Sequence, residues 1–129
     1  MIIDTSAIMA ILLREPDAAR FGAALSETAG TTMSAATLVE LTMVAEGRAG
    51  APVRPVLDAL LMESDIEVVP FTAEHAALAA DGWRRFGRGR HPAALNLGDC
   101  FAYALSKARD EPLLFKGEDF AQTDVKAAL

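Results

Sequence analysis

Short apolar runs alternate along this chain with longer stretches in which apolar residues recur every three or four positions. Met1-Ile2-Ile3 is the first run, and it stops on Asp4. It predicts a buried strand over 2–4 that turns directly into a helix over 6–14. Glu15-Pro16 breaks that helix, because proline lacks an amide donor and restricts the residue before it. Pro16 then suits the first turn of a second helix over 16–27. Thr31-Thr32-Met33 reads as a second strand. Ser34 reads as the N-cap of a helix over 35–47, whose Leu38, Leu41, Val44 and Ala45 form a core stripe. Pro52 opens a helix over 52–63, 66–69 is a third strand, and Thr72 caps a helix over 73–86. After a loop over 87–92, Leu95-Asn96-Leu97-Gly98-Asp99 leads into a helix over 100–109, with Leu97, Phe101, Ala104, Leu105 and Ala108 as its apolar face. Leu113-Leu114-Phe115 is a fourth strand. Strands separated by helices predict an α/β fold with a mainly parallel sheet. Right-handed crossovers bring the carboxyl ends of such strands to one edge, where ligands bind. Asp4 and Asp119 both follow strands and fall on that edge.

Composition narrows the classes. A length of 129 residues with 52% hydrophobic and 23% charged residues suits a single globular domain spanning 1–129. No apolar run reaches the roughly 20 residues that span a bilayer, and no signal peptide is visible. The single cysteine, Cys100, excludes an internal disulfide and fits a reducing cytoplasm. The net charge of −6 argues against nucleic-acid binding by the whole surface but leaves room for one site. Arg84, Arg85, Arg88 and Arg90 are four of only twelve basic residues. With His91, the loop residues Arg88 and Arg90 are candidate contacts to a phosphate backbone, against the plainer reading of a solvated charge run.

The acids carry the candidate chemistry. Asp4 either caps the first helix or serves a metal, and since Thr5 and Ser6 also cap well, Asp4 is not needed for the first task. Asp99 sits in the first turn of its helix, where the dipole favours an anion. Glu40 lies off the apolar stripe of its helix, and periodicity alone reads it as a solvated surface residue. His75 reads as structural or solvated, and Cys100 as a packing residue. Carboxylates that converge on one point repel each other unless a cation is present. Oxygen ligands without a His or Cys cluster select Mg²⁺ or Mn²⁺, ions suited to phosphodiester hydrolysis. No Ser-His-Asp elbow, G-x-x-x-x-G-K-[ST] loop or G-x-G-x-x-G turn competes.

Four segments together carry a family resemblance. These are M-I-I-D-T-S-A at 1–7, T-L-V-E ending at Glu40, L-N-L-G-D-C-F-A-Y-A-L at 95–105, and P-L-L-F-K-G-E-D-F at 112–120 with T-D at 123–124. In order and spacing they resemble a PIN domain, and more closely the VapC-type toxins of bacterial toxin–antitoxin pairs. The resemblance implies a three-layer fold with a four- to five-stranded sheet. It implies a metal-dependent endoribonuclease, with Asp4 and Asp99 as ligands of Mg²⁺ or Mn²⁺ and Glu40 as the third acid, against the periodicity. It further implies a cytoplasmic homodimer, a cognate antitoxin and an RNA substrate such as transfer or ribosomal RNA. Many PIN domains carry a fourth acid where this chain has Gly117, so Asp119, or less readily Glu118, takes that role. Thr5, Ser6 and Asn96 match the family motifs as residues that orient the acids. Two rivals stand beside this reading. One is a non-catalytic interaction module in an autoregulatory pair. The other is a phosphatase with Asp4 as nucleophile, disfavoured because Ser6 stands where such sites want a second Asp.

Overall fold

A computed structural model describes all 129 residues. Its centre is a sheet of four parallel strands, β1 (Ile2–Ile3), β2 (Thr32–Ser34), β3 (Glu67–Val69) and β4 (Leu113–Leu114), in the order β3-β2-β1-β4. Six helices connect them: α1 (Thr5–Leu12), α2 (Ala18–Glu27), α3 (Ala35–Ala49), α4 (Arg54–Glu63), α5 (Ala73–Phe86) and α6 (Leu97–Arg109). The tail adds a parallel bridge from Ala127 to Leu113 beyond β4.

The alternation of a strand sorts the core into two. Ile2 is paired in register with Leu113, and Ile3 with Leu114. Ile2 and Leu113 pack with Leu95, Tyr103 and Leu105 on the face covered by α5 and α6. Ile3 and Leu114 pack with Ile8, Phe21, Leu41 and Leu57 on the face covered by α1 to α4. Successive side chains point to opposite faces, so two-residue strands still feed both layers. The three-layer α/β fold implied by the resemblance is the one observed.

The topology fixes where a ligand belongs. From β1 the chain steps outward through β2 to β3, then crosses back to place β4 on the other side of β1. That reversal opens a crevice at the carboxyl ends of β1 and β4. The Asp4 amide donates to the Leu114 carbonyl at 3.0 Å, which ties the two strand ends together there.

Several element boundaries differ from the periodic reading. Pro16 lies two residues ahead of α2 rather than in its first turn, because the chain makes a turn over 14–17 first. Pro52 sits in a single 3-10 turn, Ala51–Val53, and the α-helix begins after it. Helix α6 starts at Leu97, three residues early, because Asn96 caps it. Leu97 is therefore a first-turn residue and is 72% exposed, not part of the buried face.

Candidate active site

Asp4 performs the capping role that Thr5 and Ser6 were expected to relieve it of. It is the N-cap of α1, and its Oδ2 accepts hydrogen bonds from the Ser6 amide (2.9 Å) and the Ser6 hydroxyl (2.5 Å). The same hydroxyl accepts from the Lys116 amide at 2.9 Å, so the segment that follows β4 holds Ser6, and Ser6 holds Asp4. All of this uses one carboxylate oxygen. Asp4 is buried, and its other oxygen, Oδ1, has no hydrogen-bond partner. A buried carboxylate oxygen without a partner is costly, on the order of 1–3 kcal/mol or more. Burial, with a smaller contribution from the Glu40 charge, raises the Asp4 pKa to about 6.

Asp99 repeats the arrangement at the start of α6. Asn96 Oδ1 accepts from the Asp99 amide at 3.0 Å, and Asp99 Oδ2 accepts from the Asn96 amide at 2.7 Å, a reciprocal capping box. Oδ1 of Asp99 is again left free. Burial first, then the charges of Asp4 and Asp119, raises its pKa to about 6, while nearby Arg88 acts in the opposite direction.

Glu40 is not the solvated residue that its helix periodicity suggests. It is half-buried, and its Oε2 accepts a 2.7 Å hydrogen bond from the Thr5 hydroxyl. Its pKa is raised, chiefly by burial and also by the Asp99 charge. Gly98 leaves room for it: a Cβ at that position would overlap the Glu40 carboxylate, which would have to move aside.

Asp4, Thr5, Ser6, Glu40, Asn96, Asp99 and Asp119 all line one cavity of about 440 Å³ at the sheet edge. Glu118 does not. None of the three candidate phosphate contacts lines it: Arg88 lines a neighbouring cavity. Arg90 stacks 4.0 Å over the Trp83 ring, and His91 accepts from the Ala93 amide and packs edge-on against Phe86. The cations that do line the cavity are Arg48 and Lys116, neither singled out from the sequence. Their signals were present. Arg48 lies two turns beyond Glu40 on α3 with Val44 between them, one helix face. Lys116 lies two residues beyond β4, and its ammonium is held by Glu15 and Asp17. Cys100 is buried in the core and its thiol is pushed up to about 11, mainly by burial, so it offers no nucleophile.

No three Asp, Glu, His or Cys side chains converge tightly enough to enclose an ion by themselves. Mg²⁺ characteristically takes one or two carboxylates and keeps several waters. Asp4 and Asp99, each with one oxygen fixed by a helix cap and one free, meet that requirement with oxygen ligands alone. The unpartnered Oδ1 of Asp4 is the atom that asks for a cation.

The profile of the PIN domain matches residues 1–126. The chain belongs to the PIN-domain family. Within it, the chain is 47% identical over 127 residues to a ribonuclease VapC of Mycolicibacterium smegmatis, covering 98% of both proteins. It is 46% identical over 125 residues to ribonuclease VapC30 of Mycobacterium tuberculosis, covering 97% of this chain and 95% of that one. These relatives put it in the VapC branch of the PIN domains. Among solved structures, VapC20 of Mycobacterium tuberculosis, described as a sarcin–ricin loop cleaving toxin, superposes with a TM-score of 0.78 at 14% identity. The match covers 96% of this PIN domain and 95% of that chain. At that identity the likeness speaks for the fold.

Proposed function

We propose that this VapC-type PIN domain is a divalent-metal-dependent endoribonuclease toxin, with the residues lining the acidic cavity as its catalytic centre. The unpartnered Asp4 Oδ1, buried beside Asp99 and Glu40, carries the reading. Asp4 and Asp99 hold Mg²⁺ or Mn²⁺, and Asp119 lends a further carboxylate at the exposed rim. The ion supplies charge neutralisation at the phosphoryl group and lowers the pKa of water at neutral pH. Glu40 keeps Oε2 on Thr5 and leaves Oε1 to orient water and accept its proton; a raised pKa suits a general base. Ser6 fixes the rotamer of Asp4, and Asn96 fixes that of Asp99. Arg48 and Lys116 bring positive charge to the phosphates that enter an otherwise acidic cavity.

The names of the relatives support an RNA substrate. The family supports a cognate antitoxin as partner, a homodimer as the assembly, and a cytoplasmic setting. No helix is long and apolar enough to cross a membrane. The whole chain acts as one domain.

The test is cleavage of total cellular RNA by purified, antitoxin-free protein with Mn²⁺ or Mg²⁺, with chelator, and with Asp99→Asn alongside. Discrete metal-dependent fragments that vanish in the variant are expected. Equal cleavage by the variant would overturn the site. Absence of both cleavage and cation binding would favour the non-catalytic interaction module.

A further inference from the structure

A second cavity, of about 490 Å³, opens between α5 and α6 next to the acidic one. Its apolar wall includes Phe71, Trp83, Leu97 and Phe101, and its polar side chains are Arg88 and Asn96. Asn96 lines both cavities. Three of the chain's eight aromatic residues face this one space. Leu97, at the start of the helix that carries Asp99, is 72% exposed, and Trp83, on the helix beside it, is 43% exposed.

We propose that this cavity receives a nucleobase of the RNA, the one adjoining the phosphodiester held at the acidic site. The proposal rests on the ribonuclease reading and adds the element that would make cleavage base-selective. Aromatic side chains beside a charged groove are the usual platform for single-stranded RNA, since every base offers a π-face. The amide and guanidinium groups of Asn96 and Arg88 are the kind that hydrogen-bond base edges.

Charge separates this occupant from an apolar protein side chain. Arg85 is committed to Asp124 and Asp81, whereas Arg88 holds no ion pair, and Arg90 lies flat on Trp83. An unpaired Arg88 in the wall of an apolar cavity, in a chain of net charge −6, suits a phosphate flanking an inserted base. The shared Asn96 makes the path from base to scissile phosphate continuous.

Trp83 is the chain's single tryptophan, so the wall reports on itself. The experiment titrates the protein in EDTA, where cleavage is blocked, with rA, rC, rU and rI octamers and with an abasic ribose-phosphate octamer of equal charge. Trp83 fluorescence is the readout. At least one base-bearing octamer should quench Trp83 and bind about 5- to 150-fold more tightly than the abasic one, the range that base–aromatic stacking covers. Ala76→Phe, which fills the cavity from an exposed position on α5, should remove that preference and leave abasic affinity unchanged. Equal binding of all five octamers overturns the proposal, and so does a preference that survives in folded Ala76→Phe. A cavity that ignores the octamers but is quenched by purified antitoxin is a protein-docking groove, which also overturns it. The wild-type comparison stands even if the variant does not fold. Cleavage of total RNA with Mn²⁺, run separately, keeps the two readings apart: cleavage without base preference sinks the base site alone, and no cleavage sinks the function beneath it.

Discussion

Helices α5 and α6 begin with the same local device and use it for different ends. At α5, Thr72 accepts from the His75 amide and His75 Nδ1 accepts from the Thr72 amide. At α6, Asn96 and Asp99 make the reciprocal pair. The first box stands at the surface and satisfies two amides that would otherwise lack partners. The second leaves its acid a spare oxygen in the cavity that Asp4 also lines, where the spare oxygen of Asp4 is buried and unpartnered. Capping geometry is thus no sign of a merely structural role. A cap occupies one oxygen of a carboxylate and holds the other still, which is what a ligand to a demanding cation requires.

The comparison is most severely tested by removing charge without removing the cap. Asn accepts a hydrogen bond as Asp does and caps comparably, so Asp99→Asn and Asp4→Asn should leave the fold intact. RNA cleavage should fall by more than the roughly 100-fold that losses around metal ligands reach. Circular dichroism and single-turnover cleavage on the same samples check both halves.

Gly98→Ala should be next in effect. Its Cβ would displace the Glu40 carboxylate, with an expected cleavage loss of about 10- to 100-fold. Overpacking should also cost about 1–3 kcal/mol of stability. In a double-mutant cycle, the stability cost should shrink once Glu40 is first shortened to Ala, since the two atoms in conflict are then no longer both present. An undiminished cost would mean that the glycine serves backbone packing instead.

The pH dependence follows from the raised acids. With a folded pKa of about 6 against 3.8 for the free group, Asp4 binds more protons in the native state than in the unfolded state across that window. The metal-free protein should therefore lose stability as pH rises from about 4 to about 6, by about 3 kcal/mol from Asp4 alone, and level off above. Mn²⁺ should raise Tm at pH 7 and have little effect at pH 4.5, because it needs the carboxylates ionised. Thermal melts at both pH values, with and without Mn²⁺, read this directly. A metal-free protein whose stability climbs over the same window would contradict the buried, unpartnered state of Asp4.

The mildest case is the other box. Thr72→Ala should cost about 1 kcal/mol of stability, as lost N-caps do, and leave cleavage unchanged. A cleavage defect there would erase the distinction between the two helix starts.

The alternation of strands and helices, the parallel sheet, and the placement of Asp4 and Asp119 at its carboxyl edge were all legible in the order of residues. These depend on period and on local chain chemistry, which are written residue by residue. The family motifs also marked Glu40, Asn96 and Gly98-Asp99. The direction of Glu40 was not legible there, because it depends on the Thr5 hydroxyl that holds its carboxylate and on the room left by a glycine 58 positions away on another helix. The fold also made Asp4 both a cap and a bearer of a free oxygen, since the hydroxyl that fixes it is itself held by the Lys116 amide two residues beyond β4. It moved the cavity's cations from Arg88, Arg90 and His91 to Arg48 and Lys116. Charge clusters in sequence show where cations are plentiful, but which of them reaches a site is set by helix faces and strand ends meeting across the fold.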